Sequence, residues 1–134
     1  MKPIILDAEK AVMGRLCSFA AKKALQGSEV IIVNCKKAII KGDKKDIIKK
    51  YKTIREKGGH SQKGPYYSRI PYKMLKRSIR GMLPDHRRGI GKQALKKIRC
   101  FDEIPPEYKD EKMIKSGKTK PKKFIELEEL SKKL

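Results

Sequence analysis

The chain has 134 residues, enough for one domain with a real core and too few for two independent ones. Thirty-six Lys and Arg against fifteen Asp and Glu leave a net charge of +21, so the compact state repels itself unless a partner supplies negative charge. No run approaches the roughly 18 consecutive apolar residues of a membrane span, and the start MKPIILDAEK lacks the apolar run of a signal peptide, so a cytoplasmic protein with no membrane partner is expected.

PIIL (3–6) is a short apolar run and EVIIVNC (29–35) a β-branched one, and both read as buried strands. Between them Met13, Leu16, Cys17, Ala20, Ala24 and Leu25 recur at helical spacing, with Gly27 where a helix commonly stops. Such a strand, helix, strand unit closes as a crossover between parallel strands and lays the helix on one face of a sheet, which makes the fold class α/β. KAIIKG (37–42) is a further apolar patch. The segment GDKKDIIKKYKTIREK then offers Asp43 as an N-cap and sets Ile47, Ile48, Tyr51 and Ile54 on one helical face, the other face being almost wholly Lys and Arg.

KGGHSQKGPYYSRIP (57–71) has no period, three glycines and two prolines, and reads as an exposed functional loop. Pro71 suits the first turn of a helix, PYKMLKRSIRGML, whose Leu75, Ile79, Met82 and Leu83 are expected in the core. A further helix is expected from about Ile90 to Ile98, with Ala94, Leu95 and Ile98 inward, followed by RCF as a short strand. DEIPPEYKDEKMIKSGKTKPKK is polar and punctuated by proline, so it should wrap the surface, and FIELEELSKKL reads as a final short helix. The organisation is a single domain over 1–134: an α/β core over 1–108 with inserted basic loops, and a polar C-terminal segment over 109–134. Cys17, Cys35 and Cys100 each sit in apolar runs and are expected as buried free thiols.

Enzyme motifs are tested and fail. SGKT (116–119) copies the end of a phosphate-binding loop, but Lys112 stands where that motif requires glycine. The same test on Gly91 and Lys92 finds His86 in place of glycine and Gln93 in place of the magnesium-holding Ser or Thr. A dinucleotide fingerprint is missing, because GIG runs into KQA and follows a loop. His60 and His86 are the only histidines and have no zinc-ligand spacing, so no metal site is expected. With the nucleotide motifs failing, no cofactor is expected either. Asp7 ends a parallel strand on the side where open α/β sheets bind ligands, although a turn or cap role fits that position better.

The positive signal is the basic surface. Residues 41–99 hold twenty cations and four anions, so the middle of the chain carries +16 of the total. On a helix, Lys73, Lys76, Arg77 and Arg80 are spaced i, i+3, i+4, i+7 and share one face, opposite the apolar one and with no carboxylate among them. The flanking stretches add His60, Lys63, Arg69, His86, Arg87, Arg88 and Lys92. Tyr66 and Tyr67 lie among these cations and glycines, a combination suited to irregular RNA, where aromatics stack on unpaired bases and cations meet phosphates. Arg and Lys without Asn or Gln on the helix point to phosphate and shape rather than base sequence.

MGRL, VIIVNCKKAIIKGDK, RIPYKMLKRSIRGMLP and ALKKIRCFDEIPPEY, in this order and spread over most of residues 5–108, resemble the L13 family of large-subunit ribosomal proteins. RGMLP with IPPEY is more similar to the archaeal and eukaryotic branch, and the chain's shortness favours an archaeal form. The resemblance implies a three-layer α/β/α domain with a four-stranded parallel sheet and a structural, non-catalytic role. It also implies 23S-type large-subunit rRNA and neighbouring ribosomal proteins as partners, and no small-molecule substrate. Two other classes stand beside it: an enzyme acting on RNA or a nucleotide through Asp7 or His86, and polybasic membrane attachment, for which no amphipathic helix with a free apolar face is evident.

Overall fold

The computed structural model describes residues 3–57, 67–117 and 121–134. Strands β1 (Ile4–Asp7), β2 (Val30–Val33) and β4 (Ile98–Cys100) form a parallel sheet in the order β1-β2-β4. Ile4 pairs with Val30 and Val30 with Ile98, so the β-branched runs of the sequence lie side by side. Between β1 and β2 runs α1 (Met13–Leu25), as the hydrophobic periodicity requires. Its end is set by Gly27 at φ +95°: Gly27 N donates to Ala24 O at 3.0 Å and Ser28 N to Lys23 O at 3.1 Å, the paired bonds that close a helix over a left-handed residue.

The sheet divides its side chains with period two. Leu6, Val30, Ile32 and Ile98 enter the main core, together with Leu16, Ala20 and Ala24 of α1. The same core takes Met74, Leu75 and Ile79 from α3 (Pro71–Met82) and Ala94 from α4 (Gly89–Lys96). Ile47 of α2 (Lys44–Lys57) joins them, as do Leu127 and Leu130 of α5 (Leu127–Lys133). Each Leu or Ile removed from water here contributes on the order of 2 kcal/mol. Ile5, Ile31 and Val33 point to the other face, which Phe101, Tyr108 and Met113 cover.

The expected four-stranded sheet of a three-layer α/β/α domain is corrected on two points. First, among the described residues the parallel sheet has three strands. The apolar patch after β2 does form a strand, β3 (Ile39–Lys41), but it pairs antiparallel with β5 (Phe124–Glu126), Ile40 opposite Ile125. The C-terminal segment supplies this partner, and Leu127 N anchors it by donating to Ala38 O at 2.9 Å. On the outer edge of β1 Ile114 adds an isolated parallel bridge, its N donating to Ile5 O at 2.8 Å and its O accepting from Asp7 N at 3.1 Å. Its neighbours Lys112 and Lys115 are exposed, so no alternating apolar pattern extends the pairing. Second, no α-helical side chain enters the smaller cluster among the described residues; its cover comes from the segment after β4, including the 3-10 turn Pro106–Tyr108.

Other boundaries shift for local reasons. The helix expected to reach Ile98 stops at Lys96, because Lys97 O accepts from Val30 N at 2.9 Å and draws the chain into the sheet. FIE, expected in the last helix, is β5. Met82 is 43% exposed rather than core: α3 ends there, and Leu83 turns extended (φ −91°, ψ 154°) and takes the buried position. Leu25, the last residue of α1, is likewise exposed. Cys17 and Cys35 are fully buried free thiols, whereas Cys100 is only half-buried.

Candidate nucleic-acid interface

The site is built around α3. Pro71 occupies its first turn, where the missing N–H is no loss. Ile70 at the N-cap carries no capping side chain, and the role passes to a distant residue: Asp102, just beyond β4, accepts from Tyr72 N at 2.9 Å. The start of the basic helix is thereby pinned to the end of a sheet strand. Burial raises the Asp102 carboxyl above its usual value, an effect partly opposed by that same N–H. With Met74, Leu75 and Ile79 buried, Lys73, Lys76, Arg77 and Arg80 occupy the remaining arc of the helix.

Beside this arc lies a groove of about 740 Å³. Lys73, Lys76, Arg77 and Arg80 all line it, as do Tyr67 and His86. Met13 of α1, Tyr51 of α2, and Met74 and Leu95 supply apolar surface. Tyr67 is held on both sides. The Arg77 guanidinium carbon stands 3.6 Å from its ring centroid, and Arg55 Nε donates to its carbonyl at 3.0 Å. The Tyr51 hydroxyl is pushed above its usual pKa, first by burial and then by the neighbouring Tyr67 and Cys17, and so stays protonated at neutral pH.

Of the residues expected to contact RNA, Tyr67, Lys73, Lys76, Arg77, Arg80 and His86 are therefore brought together. Arg69, Arg87, Arg88 and Lys92 are exposed and do not line the groove. Arg88 instead meets Asp85 Oδ2 at 3.2 Å, and Arg87 N donates to Asp85 Oδ1 at 3.0 Å, so the turn after Pro84 is braced by its own acid. His60, Lys63 and Tyr66 lie outside the described residues. Met13, Tyr51 and Leu95 were not legible as site residues, since their only signal was membership of an apolar helix face. Arg55 likewise gave no sign of its reach to Tyr67. A more open groove of about 410 Å³ runs along α2, lined by Lys45, Lys49 and Lys52 together with Ile48, Thr53 and Glu56.

The glycines of IRGMLPDHRRGIGK have separate tasks. Gly89 takes φ +66° at the start of α4. Gly91 is packed so closely against the Pro84 and Asp85 carbonyls that a Cβ would collide with them, while Gly81 faces open space. Of SGKT, Lys118 and Thr119 lie outside the described residues; Gly117, at φ +74°, accepts from Val12 N at 3.0 Å and lies against Arg15 at the first turn of α1.

Asp7 is a strut between strand ends. Its Oδ1 accepts from Asn34 Nδ2 at 3.0 Å and from Glu9 N at 3.0 Å, and Asn34 itself sits in the left-handed region at φ 59° just past β2. Both residues are buried at 8% exposure, as suits a turn role rather than a catalytic one. Among the described residues no group of His, Cys, Asp and Glu is placed to hold a metal ion, and no helix is long and apolar enough to cross a membrane.

Comparison with known proteins agrees with the motif resemblance. Residues 1–107 match the family model described as Ribosomal protein L13. The chain is 44% identical over 133 residues to the large ribosomal subunit protein uL13 of Thermoplasma volcanium, covering 97% of this chain and 96% of that one. It is 38% identical over 136 residues to uL13 of Methanosarcina barkeri and 40% identical over 134 residues to that of Methanocaldococcus jannaschii. Each of these two alignments covers 97% of this chain and 96% of the relative, and all three relatives are archaeal.

Proposed function

Since the chain belongs to the L13 family of large-subunit ribosomal proteins, we propose that it binds 23S-type rRNA through the cationic face of α3 and supports assembly of the large subunit. It is a structural constituent of the cytoplasmic ribosome and not an enzyme. Neighbouring ribosomal proteins complete its surroundings. The observation that carries the RNA assignment is the convergence of Lys73, Lys76, Arg77 and Arg80 with Tyr67 and His86 on one groove. Cations at helical spacing meet phosphates along a curved backbone, while an aromatic among them suits unpaired bases rather than a duplex. Arg69, Arg87, Arg88 and Lys92, exposed outside the groove, are further candidates for phosphate contact.

The test is salt dependence. Each phosphate neutralised on a single strand contributes about 0.7 to the slope of log affinity against log salt, so six contacts give a slope near −4. Binding of the isolated chain to large-subunit rRNA fragments should show such a slope, and the protein should leave the subunit at high salt. A slope near zero would remove the phosphate-contact reading.

A further inference from the structure

The groove beside α3 has two chemically different linings, and only one of them is explained by phosphates. Lys73, Lys76 and Arg80 form the cationic part. Met13 and Leu95, half-buried against the core, form an apolar part, with the core residue Met74 at its floor. A clamp for phosphate alone gains nothing from thioethers and a leucine, because a phosphate oxygen set against them forfeits hydrogen bonds it had in water. A nucleobase has the complementary character: flat apolar faces, which methionine packs against well, and a polar edge. Tyr67 and Arg77 already form a stack of the kind on which unpaired bases rest, and the protonated Tyr51 hydroxyl offers a donor and an acceptor for a base edge.

Resting on the rRNA-binding reading, the geometry points to a base-receiving subsite: the groove takes one unstacked nucleobase of a single-stranded rRNA segment, laid against the Tyr67–Arg77 stack and the methionines, while Lys73, Lys76 and Arg80 hold the flanking phosphates. Paired RNA cannot use it in this way, because the faces of its bases are stacked within the helix and only base edges, 2′-hydroxyls and phosphates are accessible. The volume of about 740 Å³ lies in the range of sites that enclose small organic groups.

The full chain is titrated with a short single-stranded oligoribonucleotide carrying one central 2-aminopurine, and with the same oligonucleotide carrying an abasic site there. The expected result is a change in 2-aminopurine emission on binding and a weaker complex with the abasic strand. Tyr67→Leu and Arg77→Lys, which remove a stacking plane and preserve net charge, should each weaken the base-bearing strand about tenfold or more and the abasic strand by a clearly smaller factor. Thermal melting of both variants beside wild type controls for a folding defect. If wild type binds both strands equally and the variants change neither or both alike, the base subsite is overturned while the salt slope still upholds RNA binding. If neither strand binds and no salt slope exists, the RNA reading falls and takes the subsite with it.

Discussion

Asp102 caps α3 from thirty residues away, its Oδ1 accepting from Tyr72 N at 2.9 Å. The helix that carries the cationic face thus takes its starting point from the end of β4, not from its own N-cap residue Ile70. Replacing Asp102 by Ala should cost about 1 kcal/mol, the usual worth of a cap, whereas Asn retains an acceptor and should cost less. The pH dependence has a definite sign. Burial raises the carboxyl above 3.8 in the folded state, so its contribution is greatest at low pH and falls as pH rises through the folded value. Chemical denaturation at several pH values should therefore show wild type losing ground to Asp102→Asn from about pH 4 upward.

Charge and fold should separate on α3. Lys73 is exposed and Arg80 half-buried, and neither belongs to the hydrophobic core, so reversing both to Glu should shift stability by no more than about 0.5 kcal/mol per site. Binding should suffer far more. Two lost phosphate contacts alone make the salt slope shallower by about 1.4, and the new carboxylates add repulsion. Thermal melting beside cosedimentation with the large subunit decides the matter. A double variant that melts normally and still joins the subunit would move the contact face elsewhere.

Met82 and Ile79 make a complementary pair. Met82 is 43% exposed at the end of α3 while Ile79 is fully buried. Met82→Asp should leave the melting temperature almost unchanged, although helical periodicity places that residue on the core face. Ile79→Ala should cost about 2–5 kcal/mol, the range for truncating a buried aliphatic side chain. Equal losses for the two would return Met82 to the core.

Local pattern was legible in the sequence where one neighbour decides the outcome. The strands at Ile4 and Val30, the helix stop at Gly27 and the cationic arc of α3 all follow from spacing that is fixed within a few residues. Pairings across the chain were not. Ile40 faces Ile125, and Ile114 bridges to Leu6, only because a C-terminal segment that reads as a polar surface wrap returns to the sheet edge and to β3. The groove was half legible for the same reason. Its cations announce themselves by helical spacing, but Met13, Tyr51 and Leu95 come from three other helices, and nothing in their own neighbourhoods marks them as lining a site.

The glycines in the turn region give opposite expectations. Gly81 is helical with nothing near its missing Cβ, so Gly81→Ala should stabilise by up to about 1 kcal/mol through lower unfolded-state entropy. Gly91→Ala drives a methyl into the carbonyls of Pro84 and Asp85 and should destabilise by about 1–3 kcal/mol, with α4 shifted away from the turn. Denaturant midpoints measured side by side test both, and the contrast holds independently of RNA.

Alkaline pH should weaken the core through its thiols. Burial pushes Cys17 from 9.0 up to about 12, and Cys35 is raised well above 9.0 for the same reason, with Cys100 beside it adding to the shift. The unfolded chain releases these protons near pH 9 while the folded chain retains them, so the stabilisation is complete below that value and is lost as pH rises toward the folded values. For Cys17 the loss is about 1.4 kcal/mol for each pH unit between the two. Lysine deprotonation relieves the +21 charge over the same range, so wild type alone gives a mixed answer, and the informative quantity is its difference from Cys17→Ala. At pH 8 the variant should be weaker, because Cys17 is fully buried and fills space beside Leu75, to whose carbonyl its thiol donates at 3.6 Å. Above pH 9 the gap should narrow steadily and then reverse, since only wild type must still expel a proton from that thiol on unfolding. A gap that stays constant from pH 8 to pH 11 would mean that the Cys17 thiol titrates alike in the folded and unfolded chains.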